Sequence, residues 1–185
     1  MSWFQTEPIA SLELIERLGV STDTSVIDVG GGASRLPDRL VERRFADITV
    51  LDVSEEALAA GRRRLPSASV SWVRADLLSW RWTRRYGVWH DRAVFHFLTD
   101  ERDQKRYLET LGEALEPRGC LIMATFAEDG PEFCSGLAVC RYSARDLVQL
   151  LGEGFEVTDV LREDHTTPAG VVQPFTWVAA RRHGD

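Results

Sequence analysis

Short runs of apolar, often β-branched residues alternate along the chain with segments in which apolar residues recur every three or four positions, and this predicts strands and helices in turn. Leu12, Leu14, Ile15 and Leu18 pace a short helix over Ser11 to Leu18 that Gly19 closes. A first strand, Ser25 to Val29, ends in Gly30-Gly31-Gly32, after which Leu36, Leu40 and Val41 mark a helix. Ile48 to Leu51 reads as a second strand, and Ser54 as the N-cap of a helix with Glu55 and Glu56 in its first turn and Pro66 beyond its end. Val70 to Val73 is a third strand, and a fourth near Gly87 to Trp89 runs into His90-Asp91-Arg92. Asp100 caps a long helix through Leu115, Cys120 to Phe126 is a buried strand, and Ser143 caps a helix over Ala144 to Leu151. Phe155 to Leu161 and Val171 to Ala180, joined by a polar connection with Pro168 and Gly170, read as an antiparallel hairpin.

Alternating β and α elements imply an α/β fold, a parallel sheet with helices on both faces and a ligand site outside the carboxyl ends of the strands. No repeat or linker interrupts the pattern, so residues 1–185 read as one domain, with residues 1–10 a short segment ahead of the first helix. The formal net charge of −7 and the scattering of the arginines argue against a nucleic-acid partner. The apolar runs fall far short of the roughly 20 residues that cross a bilayer, and Met1-Ser2-Trp3 begins no basic-then-apolar signal, so no membrane partner and a cytoplasmic location are expected. Cys120, Cys134 and Cys140 form no CxxC pair and match no compact zinc pattern; reduced thiols and no metal are expected.

The candidate chemistry sits at the strand ends. In Asp28-Val29-Gly30-Gly31-Gly32 an acid closes a buried strand and glycines follow, which lets a ligand approach the backbone. Arg35 stands where a dinucleotide-binding turn would carry its third glycine, which disfavours a hydride-transfer cofactor. Asp52 ends the second strand 22 residues after Gly30, placed to accept both hydroxyls of a ribose. Asp76 ends the third, placed to accept from an adenine amino group, with Ala75 and Leu77 beside it.

The ordered set Asp28 to Gly32, Asp52, Asp76 and the strand-four segment resembles class I S-adenosylmethionine (SAM)-dependent methyltransferases along nearly the whole chain. The resemblance implies a three-layer Rossmann-like sandwich whose seven-stranded sheet has the order 3-2-1-4-5-7-6, with strand 7 antiparallel. It implies SAM as cofactor and S-adenosylhomocysteine as product, with Asp28, Gly30, Gly31 and Gly32 beside the methionine part. Asp52 and Val53 would serve the ribose, Ala75, Asp76 and Leu77 the adenine, and His90 would close the cofactor site from strand four. Ser34 stands where many members have a third glycine.

Trp89-His90-Asp91-Arg92-Ala93, Asp103 to Tyr107 and Gly130-Pro131-Glu132-Phe133 look like the corresponding region of thiopurine, thiol and tellurite-type methyltransferases. That narrower likeness implies a small, soft nucleophile as acceptor and makes Arg92 its contact; the inserted His90 departs from the Trp-Asp-Arg of those enzymes. His90 or Asp91 would take a proton from a neutral acceptor. Trp3 and Phe4, with Gln5, would fold over the sulfonium as a lid, and His96, Phe133 and Cys134 would complete the acceptor side. A monomer or homodimer that methylates a small molecule is the first expectation. A protein methyltransferase and a SAM-binding sensor without turnover are the alternatives.

Overall fold

The computed structural model describes residues 5–67 and 69–184. Five strands, β1 (Val26–Val29), β2 (Ile48–Asp52), β3 (Val70–Arg74), β4 (Tyr86–Arg92) and β5 (Leu115–Phe126), run parallel in one sheet. A two-stranded ribbon, β6 (Phe133–Cys134) and β7 (Leu137–Ala138), stands apart from it. The long strands β8 (Phe155–Thr166) and β9 (Val172–Arg182) complete the main sheet, β9 lying antiparallel between β5 and β8. The order is β3-β2-β1-β4-β5-β9-β8, the one the resemblance implies.

Helices cover both faces. On one, α1 (Ile9–Arg17), α2 (Leu36–Glu42) and α3 (Glu55–Arg64) pack Leu14, Leu40 and Leu58 against Val26, Val50, Val88 and Trp177. On the other, α4 (Glu101–Ala114) and α5 (Ala144–Leu151) pack Tyr107, Leu111 and Leu147 against Ile27, Trp89, Leu121 and Val178. Each central strand is buried on both sides, so its residues are apolar in succession and alternate between the two layers. Burying one such Leu, Ile or Val contributes about 1.5–3 kcal/mol. No helix of the described residues is long and apolar enough to cross a membrane.

The caps read from the sequence are formed. The Ala57 and Asp146 N–H groups donate to the hydroxyls of Ser54 and Ser143, and Arg102 N–H donates to Asp100 Oδ1. Several boundaries differ. α1 starts at Ile9 and ends at Arg17, where Ser11 to Leu18 was expected, so the segment ahead of it is shorter than residues 1–10. β5 starts at Leu115 because that residue pairs with Tyr86 before the register shifts, and α4 therefore stops at Ala114. The hairpin strands run past Leu161 and Ala180, since Arg162 to Thr166 alternate along an edge strand and pair with residues from Val172 to Thr176. The ribbon falls between the expected Cys120–Phe126 strand and the Ser143 cap, where no strand was expected, and is turned by Ser135 and Gly136, both at positive φ.

Candidate functional site

A cleft of about 830 Å³ opens at the carboxyl ends of β1 to β4, between the start of α1 and the β6–β7 ribbon. Its size lies within the range of small-molecule and cofactor sites, roughly 300–1,000 Å³. One end is acidic and the other is walled by apolar side chains around Arg92.

The acidic end is built on the turn after β1. Gly30 has φ +67 and a side chain there would strike Val94, while a side chain on Gly31 would strike the Asp28 carboxylate. Only glycine keeps this backbone open to the cleft. Behind the turn Arg64 donates from Nε and Nη2 to the two carboxylate oxygens of Asp38, each at 2.8 Å, tying the end of α3 to α2. Asp28, Gly30 and Gly31 line the cleft, as do Asp52 and Val53 from the end of β2 and Ala75, Asp76 and Leu77 from the end of β3. Gly32 does not; it sits behind Asp52 and Ala57 and leaves room for both. Asp52 Oδ1 accepts from Ser54 N–H at 2.8 Å, and Asp76 Oδ1 from Leu78 N–H at 3.0 Å, so each carboxylate is held by the turn that follows it. Burial pushes the Asp52 carboxyl up, and the nearby Asp28 charge adds to that against the Ser54 hydrogen bond.

His90 and Asp91 lie in succession on β4 and face opposite layers. His90 is buried, with Nδ1 2.7 Å from Asp28 Oδ1 and Nε2 2.9 Å from Ser11 Oγ on α1. Both ring nitrogens are thus engaged within the fold, Nδ1 by a carboxylate and Nε2 by a hydroxyl. Asp28 Oδ2 is also buried and has no hydrogen-bond partner among the described residues. Asp91 points to α4, accepts from Tyr107 Oη–H at 2.7 Å, Val94 N–H at 2.9 Å and Phe95 N–H at 3.1 Å, and does not line the cleft. Burial pushes its carboxyl up to about 6 despite those donors. Its carboxylate ties the chain leaving β4 to Tyr107 of α4.

At the other end Arg92 lines the cleft with its guanidinium carbon 4.6 Å from the Phe175 ring centroid. Burial pushes its pKa down from the ordinary value, opposed by the charges of Glu163, Cys134 and Asp28. Cys134 also lines the cleft, together with Phe97, Leu98 and Leu137. His96 does not: its ring is enclosed by Phe97 and Phe126, and burial, then the Arg92 charge, pushes it down to about 3. Phe133 is 61% exposed on the outer side of the ribbon and is likewise outside the cleft lining. Strand alternation separates Phe133 from Cys134, because they are adjacent on β6 and only one can face inward. Trp3 and Phe4 lie outside the described residues.

Ser11, Gln5 and Pro8 also line the cleft, and none was singled out from the sequence as a pocket residue beyond the lid reading that included Gln5. Ser11 carried a usable signal: it is a polar residue, fully buried, between Ala10 and Leu12 on the apolar side of α1. Gln5 donates to one oxygen of Glu163, whose other oxygen accepts from Trp177 Nε1–H at 2.9 Å. Among the described residues no cluster of three or more His, Cys, Asp or Glu could hold a metal ion.

Residues 26–119 match the methyltransferase domain family. No curated protein sequence matches the chain. Among solved structures it is similar to the N-methyltransferase NodS of Bradyrhizobium japonicum in complex with S-adenosylhomocysteine, at 16% identity and TM-score 0.75 over 96% of this chain and 89% of that one. It is also similar to the 1,6-didemethyltoxoflavin-N1-methyltransferase of Burkholderia thailandensis, at 21% identity and TM-score 0.76 over 95% and 77%. The cyclase SpnF is a third, at 18% identity and TM-score 0.74 over 96% and 82%. At these identities the likeness to each structure is one of fold.

Proposed function

The chain belongs to the methyltransferase domain family and has the class I SAM-dependent fold, and from that premise we propose that it methylates a small-molecule nucleophile bound at the Arg92 end of the cleft. The observation that carries the cofactor half of this reading is Asp28 Oδ2, a buried carboxylate oxygen beside the bare Gly30-Gly31 turn with no partner among the described residues. An orphaned buried acceptor costs free energy unless a ligand donor meets it, and the ammonium of SAM's methionine part is such a donor. Asp52 would accept the ribose hydroxyls, and Asp76, with Ala75 and Leu77, would receive the adenine. The donor set therefore fits the cofactor, and three carboxylates around one cleft suit a ligand that carries a sulfonium and an ammonium.

When bound, SAM supplies a methyl group on a sulfonium, already joined to a good leaving group. The chain's own task is to align and dehydrate. Phe97, Leu98 and Leu137 would exclude water from the acceptor, and Arg92, steadied over Phe175, would hold an anionic group on it. The acceptor atom's electron pair would form the new bond to the methyl carbon as the carbon–sulfur pair went to sulfur, and a proton on a neutral acceptor would leave to solvent. No base is required of His90 or Asp91.

A small acceptor is favoured because Gln5, Pro8 and the ribbon line the same cleft of about 830 Å³, a volume in the range of small-molecule sites. The Burkholderia enzyme was solved with 1,6-didemethyltoxoflavin bound, a small molecule in the same fold. The test is incubation with methyl-labelled SAM and a panel of thiols, amines, phenols and small carboxylates. Label in the small-molecule fraction, reduced at least tenfold by Arg92→Gln when the acceptor is anionic, supports the reading. Label confined to a protein band in a cell extract would favour protein methylation, and saturable SAM binding with no transfer would favour a sensor.

A further inference from the structure

Asp28, His90 and Ser11 form one hydrogen-bonded chain across three elements. β1 and β4 are parallel neighbours, and their register sets Asp28 directly beside His90. His90 Nδ1 stands 2.7 Å from Asp28 Oδ1, and Nε2 stands 2.9 Å from Ser11 Oγ on α1. A carboxylate can only accept, so Nδ1 carries the proton, and in the neutral ring Nε2 then accepts from the serine hydroxyl. All three residues border the cleft.

We propose that His90, steadied by Ser11, is a positioning residue for the amino-acid end of the cofactor. It fixes the Asp28 carboxylate through Oδ1 and leaves Oδ2, beside Gly31 and without a partner among the described residues, as an acceptor for the ligand's ammonium. This rests on the SAM reading above. The physical case is that a carboxylate with neither oxygen engaged is free to rotate about its own bond. A donor on one oxygen holds its orientation, as an outer partner does for a ligating side chain. The surroundings give His90 little else to do. β5 presents Ile122 beside it and β9 the Trp177 ring at 6.3 Å, while the other charged groups nearby are Asp91 and Arg92 on its own strand and Glu163 behind Trp177. The same chain ties α1, and with it Pro8 at the cleft mouth, to the turn after β1.

The two conservative amides separate the two bonds. In His90→Asn the amide nitrogen falls where Nδ1 stands and keeps the donor to Asp28, and in His90→Gln it falls where Nε2 stands and keeps only the link to Ser11. Calorimetric titration with S-adenosylhomocysteine and with 5′-methylthioadenosine, which lacks the amino-acid end, reads the effect. S-adenosylhomocysteine should bind His90→Asn within about threefold of wild type and His90→Gln roughly tenfold or more weakly, with Ser11→Ala between them. Methylthioadenosine should bind all four proteins within about twofold. Circular dichroism on each variant checks that the fold is kept. Equal losses for both ligands, or wild-type affinity in His90→Gln, would overturn the positioning role while leaving the cofactor reading intact. Failure of wild type to bind either ligand would instead remove the cofactor reading, and this inference with it.

Discussion

Asp91 carries the clearest residue-scale consequence of the alternation along β4. Trp89 and Asp91 point to α4, where Tyr107 accepts from Trp89 Nε1–H at 3.0 Å and donates to Asp91, while His90 and Arg92 point to the opposite layer. Burial raises the Asp91 carboxyl from 3.8 to about 6, so folding favours its protonated form. That contribution is fully present below about pH 4 and is lost as pH rises through 6, a change of up to about 3 kcal/mol. Urea unfolding at pH 4.5 and 7 should show wild type losing stability relative to Asp91→Asn across that interval; parallel profiles for the two proteins would refute the assignment. The acids Asp28, Asp52 and Asp76 were legible in the sequence because a charged residue at the end of an apolar strand has few other reasons to be there. The destinations of His90, Asp91 and Phe133 were not, because which layer a strand residue faces depends on register against its neighbours, set by contacts distant in the chain; that of His96 was not, because it sits in the short turn Phe95–Phe97 after β4.

Elements were legible where local signals close them and less so where pairing does. α3, α4 and α5 begin at their capping residues Ser54, Asp100 and Ser143, a decision made within four residues of chain. β8 and β9 extend beyond their apolar runs because β9 lies inside the sheet and lends its hydrogen bonds to polar residues of β8. The ribbon, with two residues in each strand, has no periodicity to detect. The α5 cap gives a test confined to this scale. Ser143 Oγ accepts from Asp146 N–H at 3.2 Å and Asp146 Oδ2 accepts from Ser143 N–H at 2.9 Å, a reciprocal pair. Ser143→Ala should cost about 1 kcal/mol of unfolding free energy. Because α5 packs through Leu147 and Leu151 and none of its residues lines the cleft, S-adenosylhomocysteine affinity should stay within twofold, and a large loss would show that α5 supports the site.

At the scale of the molecule, the fold assembles residues spread from Gln5 to Leu137 into a single cleft. Ser11 precedes the first strand, Asp28, Asp52 and Asp76 close the first three, and Cys134 enters from the ribbon after the fifth. The parallel order puts the strand ends side by side, so three carboxylates converge although 48 residues separate Asp28 from Asp76 in the chain. The fold itself is shared with a methyltransferase and with a cyclase, so activity must be argued from this convergence. The most direct measurement is calorimetric titration of the wild-type chain and Asp52→Ala with S-adenosylhomocysteine. Saturable binding by wild type, weakened ten- to a hundredfold in Asp52→Ala as expected for hydrogen bonds to a charged group, is the predicted result; no binding by wild type, or equal affinity in the two proteins, would contradict it.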